Sequence, residues 1–185
     1  MLILEGEAGT GKSHAAVFEA VRDLIEGRIE KILIGRPLVS VDEDYGFLPG
    51  TLEEKLGPWL GAFEDVLGPL WNELHRRYAG QIQSVAVGMT RGRTIKNAVM
   101  LIDEAQNLKA SQLKMLATRV GENGKLILSG DGTQSDLGPG RAVPLVEFAG
   151  RAERVAGCRV VRFLPCDQMR SEFVRAMVTA LEGFR

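Results

Sequence analysis

The chain has 185 residues, 45% of them hydrophobic, with 23 Lys and Arg against 24 Asp and Glu and a net charge of -1. That is enough for one full core, and the length fits a single domain over residues 1–185 better than two. No run approaches the ~18 uninterrupted apolar residues of a membrane span, and no basic segment with a long apolar core opens the chain, so a cytoplasmic protein without a membrane partner is expected. Cys158 and Cys166 have no His or further Cys at ligand spacing, which excludes a zinc motif and a disulfide framework and leaves buried, reduced thiols as the expectation.

Leu2-Ile3-Leu4 reads as a first strand, and it runs into Gly6-Glu7-Ala8-Gly9-Thr10-Gly11-Lys12-Ser13, the G-x-x-x-x-G-K-[ST] phosphate loop. Its glycines let backbone N–H groups turn inward around an oxyanion, Lys12 places a charge on the outer phosphates, and the Ser13 hydroxyl suits a magnesium ion. The helix opening there, with His14 in its first turn, adds its positive dipole end. ATP with Mg2+ is therefore the expected ligand of residues 6–14. Val17, Val21, Leu24 and Ile25 continue at helical spacing until Gly27 stops the helix.

Ile32-Leu33-Ile34 reads as a second strand, followed by a long connection from Gly35 to Gly50 with Pro37 and the acidic run Asp42-Glu43-Asp44. Connections of that length are uncommon unless they work. Residues 51–78 read as mostly helical, broken near Gly57-Pro58 and Gly68-Pro69, with Trp59, Phe63, Trp71 and Tyr78 packing the pieces together or, alternatively, stacking on bases. Further strands are expected at Ile82–Val87, Val99–Ile102, Leu126–Leu128 and Val160–Leu164, with helices at Leu108–Val120 and Glu172–Leu181. Alternation of this kind predicts an α/β fold, a mostly parallel sheet flanked by helices on both faces.

Charge is unevenly placed. Residues 1–73 hold 14 acids against 6 bases, whereas residues 74–102 carry Arg76, Arg77, Arg91, Arg93 and Lys96 and no acid. A basic patch for nucleic acid and an ordinary solvated face both remain open on that asymmetry. The buried run Val99–Ile102 ends in Asp103 and Glu104, and ligands collect at the carboxyl ends of parallel strands. Asp103 is then expected to hold magnesium and Glu104 to polarise the attacking water. After the next strand, Gln134 is placed to sense the γ-phosphate or orient water, although Gly130, Asp131 and Gly132 also make an ordinary turn.

Together these segments resemble the PhoH family, P-loop ATPases related to the RecA-like ATP-binding half of superfamily 1 helicases. The likeness rests on the phosphate loop, Arg36-Pro37-Leu38-Val39, Gly46-Phe47-Leu48-Pro49-Gly50 with Leu52-Glu53-Glu54-Lys55, Arg91-Gly92-Arg93-Thr94, Ile102-Asp103-Glu104-Ala105-Gln106-Asn107, and Gly130-Asp131 to Gln134. It implies an ATP-dependent activity on single-stranded RNA or DNA, with Arg36, Arg91 and Arg93 at the nucleic-acid backbone. It also implies that Arg170 stabilises charge on the transferring phosphate, in its own site or a neighbour's, and hence a ring-like homo-oligomer such as a hexamer.

The sequence departs from that family in two places. The usual segment ahead of the loop, which helps hold adenine, is expected to be lacking because only Met1 precedes the first strand, and Glu7 stands where proline is common. No carboxylate cluster of a fused nuclease is evident. Two other readings remain at this point: a small P-loop kinase, and a non-catalytic ATP-binding module in which the nucleotide builds an oligomer.

Overall fold

In the computed structural model the described residues are 1–37, 60–61, 63–132, 143–169, 171–174 and 177. Six strands form one sheet: β1 (Leu2–Glu5), β2 (Lys31–Gly35), β3 (Ile82–Ser84), β4 (Ala98–Ile102), β5 (Lys125–Gly130) and β6 (Arg159–Arg162). All pairings are parallel, in the order β3-β2-β4-β5-β1-β6. Parallel neighbours require crossovers, and the described helices include α1 (Lys12–Ile25), α2 (Leu70–Arg77), α3 (Ala110–Ala117) and α4 (Pro144–Ala152).

Alternate side chains of each inner strand bury against opposite helical layers. Leu4, Ile32, Ile34, Val99, Leu101 and Ile127 pack on one face against Val17, Val21 and Leu24 of α1, Phe63, and Trp71 and Leu74 of α2. Ile3, Met100, Ile102, Leu126 and Leu128 pack on the other against Leu113 and Leu116 of α3 and Leu145 and Ala149 of α4. Strands covered on both sides must be apolar throughout, and so the runs were conspicuous in the sequence. Phe63 meets Trp71 edge-on, ring centroids 6.5 Å apart, as packing aromatics do; Trp59 lies outside the described residues.

Three expectations need correction. The run Ile82–Val87 is a strand only through Ser84, because the chain turns into a 3₁₀ turn at Val87–Thr90 while Val87 stays in the core. The helix expected over Leu108–Val120 covers only Ala110–Ala117; Leu108 is buried in extended backbone and Val120 bridges to Ile95. Cys166 is exposed rather than buried, since it sits in the turn Pro165–Asp167 beyond the edge strand β6.

An ionic cluster around the buried Asp23 fastens α1 to the start of β5. Asp23, only 3% exposed, accepts hydrogen bonds from Arg28 at 2.8 Å and from Lys125, which also reaches Glu19 at 2.9 Å. Burial acts to raise the Asp23 carboxyl, but the hydrogen bonds from Lys125 and Arg28 outweigh it and hold Asp23 below the usual carboxylate range. The folded state thus binds the proton less readily than the unfolded chain. Its contribution is complete above the unfolded carboxylate pKa near ~3.9 and is lost as pH falls toward the folded value. Asp23→Asn is expected to cost about 1–3 kcal/mol at neutral pH. Melting curves should show the gap to the unaltered protein closing as the pH drops below about 4. A gap independent of pH would contradict the assignment.

Candidate nucleotide-binding site

The carboxyl end of β1 delivers the loop into the sheet's upper edge. Gly6 is pressed against the segment after β6: a Cβ on Gly6 would lie 2.8 Å from that of Phe163, and the Phe163 N–H donates to the Glu5 carbonyl at 2.7 Å. Gly9 and Gly11 have φ of 86° and 89°, left-handed conformations that only glycine adopts without strain. Gly11 immediately precedes α1, so the first amides of that helix, Lys12, Ser13 and His14, open toward the loop. Thr10 Oγ1 and Lys12 Nζ both donate to the Glu7 carbonyl, at 2.8 and 2.6 Å, and close the loop on itself. Lys12 is 8% exposed, Glu7 half-buried and His14 exposed.

β5 lies between β1 and β4, and Asp103, directly after β4, reaches the loop across its end. Ser13 Oγ donates to Asp103 Oδ1 at 3.3 Å. Arg36, at the end of β2, donates to Asp103 Oδ2 at 3.1 Å and lies 3.9 Å from Glu104 Oε1. Its Nε is buried with no hydrogen-bond partner among the described residues. Glu104 has φ 54° and ψ 36°, a left-handed conformation that costs an L residue about 1–2 kcal/mol. Such strain persists only where the surroundings hold it.

Two residues that carried no assigned role in the sequence complete the arrangement. Gln106, 4% exposed in the 3₁₀ turn Ala105–Asn107, donates through Nε2 to Glu104 Oε2 at 2.6 Å and accepts the Asp131 N–H through Oε1 at 3.0 Å. The Asp131 carboxylate accepts the Ala8 N–H of the phosphate loop at 3.1 Å. Gly130 makes this possible, because a Cβ there would lie 2.8 Å from Gln106 Oε1 and 2.5 Å from a Leu145 methyl. The signal for these residues was their position just after β4 and at the end of β5.

A family profile described as PhoH-like protein matches residues 1–182. The chain belongs to the PhoH family. It is 38% identical to Protein PhoH of Escherichia coli K12 over 92% of this chain and 50% of that protein. It is likewise 38% identical to a PhoH-like protein of Bacillus subtilis, over 96% and 56% of the two chains. A PhoH-like protein of Mycobacterium tuberculosis H37Rv is 36% identical over 95% and 51%. The chain thus spans about half the length of the curated relatives it matches. Among solved structures, the large terminase of a thermophilic bacteriophage superposes with a TM-score of 0.63 at 15% identity, over 97% of this chain and 44% of that one. The fold is a RecA-like P-loop fold.

Within this PhoH-family chain the remaining expected residues fall in different places. Residues 91–94 are exposed on the connection from the Val87–Thr90 turn to β4, and Arg91 and Arg93 have no ion-pair partner among the described residues. Arg36 lies at the carboxylates. Gln134, Arg170 and the connection 38–59 lie outside the described residues. Met169, the residue before Arg170, donates its N–H to the Gly9 carbonyl at 2.9 Å while its side chain is 84% exposed. No described helix is long and apolar enough to cross a membrane.

Proposed function

We propose that the chain binds ATP with Mg2+ and hydrolyses it, and that single-stranded RNA or DNA stimulates the turnover. The observation that carries this reading is the 3.3 Å approach of the Ser13 hydroxyl to Asp103, which joins the phosphate loop to the acid pair at one point. A hydroxyl and a carboxylate are the hard oxygen donors that Mg2+ accepts, so the residues fit the ion. Bound there, Mg2+ would neutralise charge on the β- and γ-phosphate oxygens.

Lys12 exchanges the Glu7 carbonyl for the outer phosphates, and the amides of Gly9 to His14 hold the remaining oxygens. Glu104 accepts a proton from water as the water oxygen bonds to the γ-phosphorus and the bond to the bridging oxygen breaks, giving ADP and phosphate. Gln134 is proposed to contact the γ-phosphate and Arg170 to stabilise its charge. That arginine acts in its own site or in the site of a neighbouring subunit of a ring-like homo-oligomer. Water as acceptor fits an acid pair beside the loop better than a kinase reading does.

Arg91 and Arg93 form the proposed nucleic-acid contact. Arg36 is left out of it, because meeting a phosphate backbone would require it to leave Asp103. Steady-state ATP turnover with Mg2+, with and without single-stranded RNA and DNA, tests the reading. A rate that rises with either strand supports it; ATP binding without turnover under every condition selects the assembly module instead. Replacing Arg91 and Arg93 by Ala should lower the salt dependence of strand binding by about one logarithmic unit of slope each. An unchanged slope would remove both from the interface.

A further inference from the structure

Glu104 presents a physical problem for any role in directing water. Its side chain is 49% exposed, so packing alone does not fix the carboxylate; Arg36 lies 3.9 Å from Oε1, beyond hydrogen-bond reach, and the backbone is strained. The only hydrogen bond that the described residues give this carboxylate comes from Gln106. The two ends of the Gln106 amide are spent on different elements. Oε1 must face the Asp131 N–H, which can only donate, so Nε2 must face Glu104, which can only accept while ionised. The amide therefore has one orientation, and reversing it would set donor against donor and acceptor against acceptor. Gln106 is itself buried, and Gly130 leaves it the room it occupies. Beyond Asp131 the chain of contacts continues through its carboxylate to the Ala8 N–H. Three segments far apart in sequence, the loop after β1 and the ends of β4 and β5, are thereby tied together through one glutamine.

We propose that Gln106 is the positioning residue for Glu104: it holds one carboxylate oxygen and, through Asp131, keeps that carboxylate in register with the phosphate loop. Gln106 is assigned neither a phosphate contact nor a proton transfer in this reading. Loss of its amide leaves the nucleotide contacts in place and lets Glu104 drift from the direction of attack, and a small misplacement of that kind is enough to cost orders of magnitude in rate. The inference rests on the reading in which Glu104 directs water.

The test compares Gln106→Met, of similar length without either hydrogen bond, with Gln106→Asn, which retains a polar amide but is too short to reach both partners. Single-turnover hydrolysis of magnesium-ATP, equilibrium ATP binding and thermal unfolding are measured for each. The expected result is a 10- to 100-fold fall in the rate of cleavage, about the scale seen for supporting groups of catalytic ligands, with the ATP dissociation constant changed less than about threefold. In a Glu104→Gln background the same Gln106 substitution should lower the residual rate less than about twofold, because nothing is left to position. A merely structural Gln106 would lower ATP affinity and cleavage together and would act equally in both backgrounds; that outcome overturns the proposal. Should Gln106→Met fail to fold, Gln106→Asn carries the same comparison. An unaltered protein that binds ATP without cleaving it would instead remove the reading of Glu104, and this inference with it.

Discussion

Glu104→Gln is expected to lower ATP turnover by roughly 10²- to 10⁴-fold, the range in which a positioned general base acts, while leaving ATP binding nearly unchanged. The separation follows from the geometry. Ser13, Asp103 and the loop amides form the phosphate and metal end of the site, and none of them depends on the Glu104 charge. A glutamine at position 104 retains the length of the side chain and an amide oxygen that can still accept from Gln106 Nε2. What it loses is the capacity to take a proton from water. Phosphate release reports the first quantity and equilibrium binding of a fluorescent ATP analogue the second. Equal turnover in the two proteins would take Glu104 out of the chemistry, and equal losses of binding and turnover would make it a structural residue.

Lys12→Ala should instead weaken ATP binding by about 10²- to 10³-fold, as expected when a charge-assisted contact worth roughly 3–4 kcal/mol is removed. The ammonium group donates to the Glu7 carbonyl 2.6 Å away, inside the loop that the phosphates would fill. Its charge is therefore already held at the site and needs no long rearrangement to reach a ligand. Lys12→Arg keeps the charge but places a planar fork where a compact ammonium fits, so it should recover only part of the affinity. Titration of ATP into the three proteins distinguishes these outcomes, and an affinity unchanged in Lys12→Ala would mean that nucleotide binds elsewhere. The two substitutions thus divide the site, one acting on affinity and the other on cleavage.

The four inner strands were legible in the sequence because they are buried on both faces and must be largely apolar, as in Ala98–Ile102. The phosphate loop was legible because its conformation demands glycine at fixed places, Gly6 and Gly11. Element ends were less so. Val87 and Leu108 are buried like their neighbours but lie where the backbone has left the ladder or has not yet entered the helix, and apolarity reports burial rather than hydrogen bonding.

The candidate site shows the same division. Asp103 and Glu104 announced themselves by following an apolar run. Gln106 and Asp131 did not, because each also bonds a backbone group brought close only by folding, the Asp131 N–H for the one and the Ala8 N–H for the other. No local spacing encodes those partners. Arg36 was drawn toward nucleic acid by its motif, yet its guanidinium lies 3.1 Å from Asp103, since β2 and β4 are neighbours in the sheet and Gly35 pairs with Ile102 directly before them.

The most direct test of the account is phosphate release from magnesium-ATP by the purified chain, run beside Lys12→Ala and Glu104→Gln prepared in the same way. The expected result is steady turnover that falls by roughly 10²- to 10⁴-fold in Glu104→Gln, which still binds ATP, and that is lost in Lys12→Ala, which no longer binds ATP at the same concentration. Tight ATP binding by the unaltered chain without any phosphate release, with or without single-stranded nucleic acid, would contradict it.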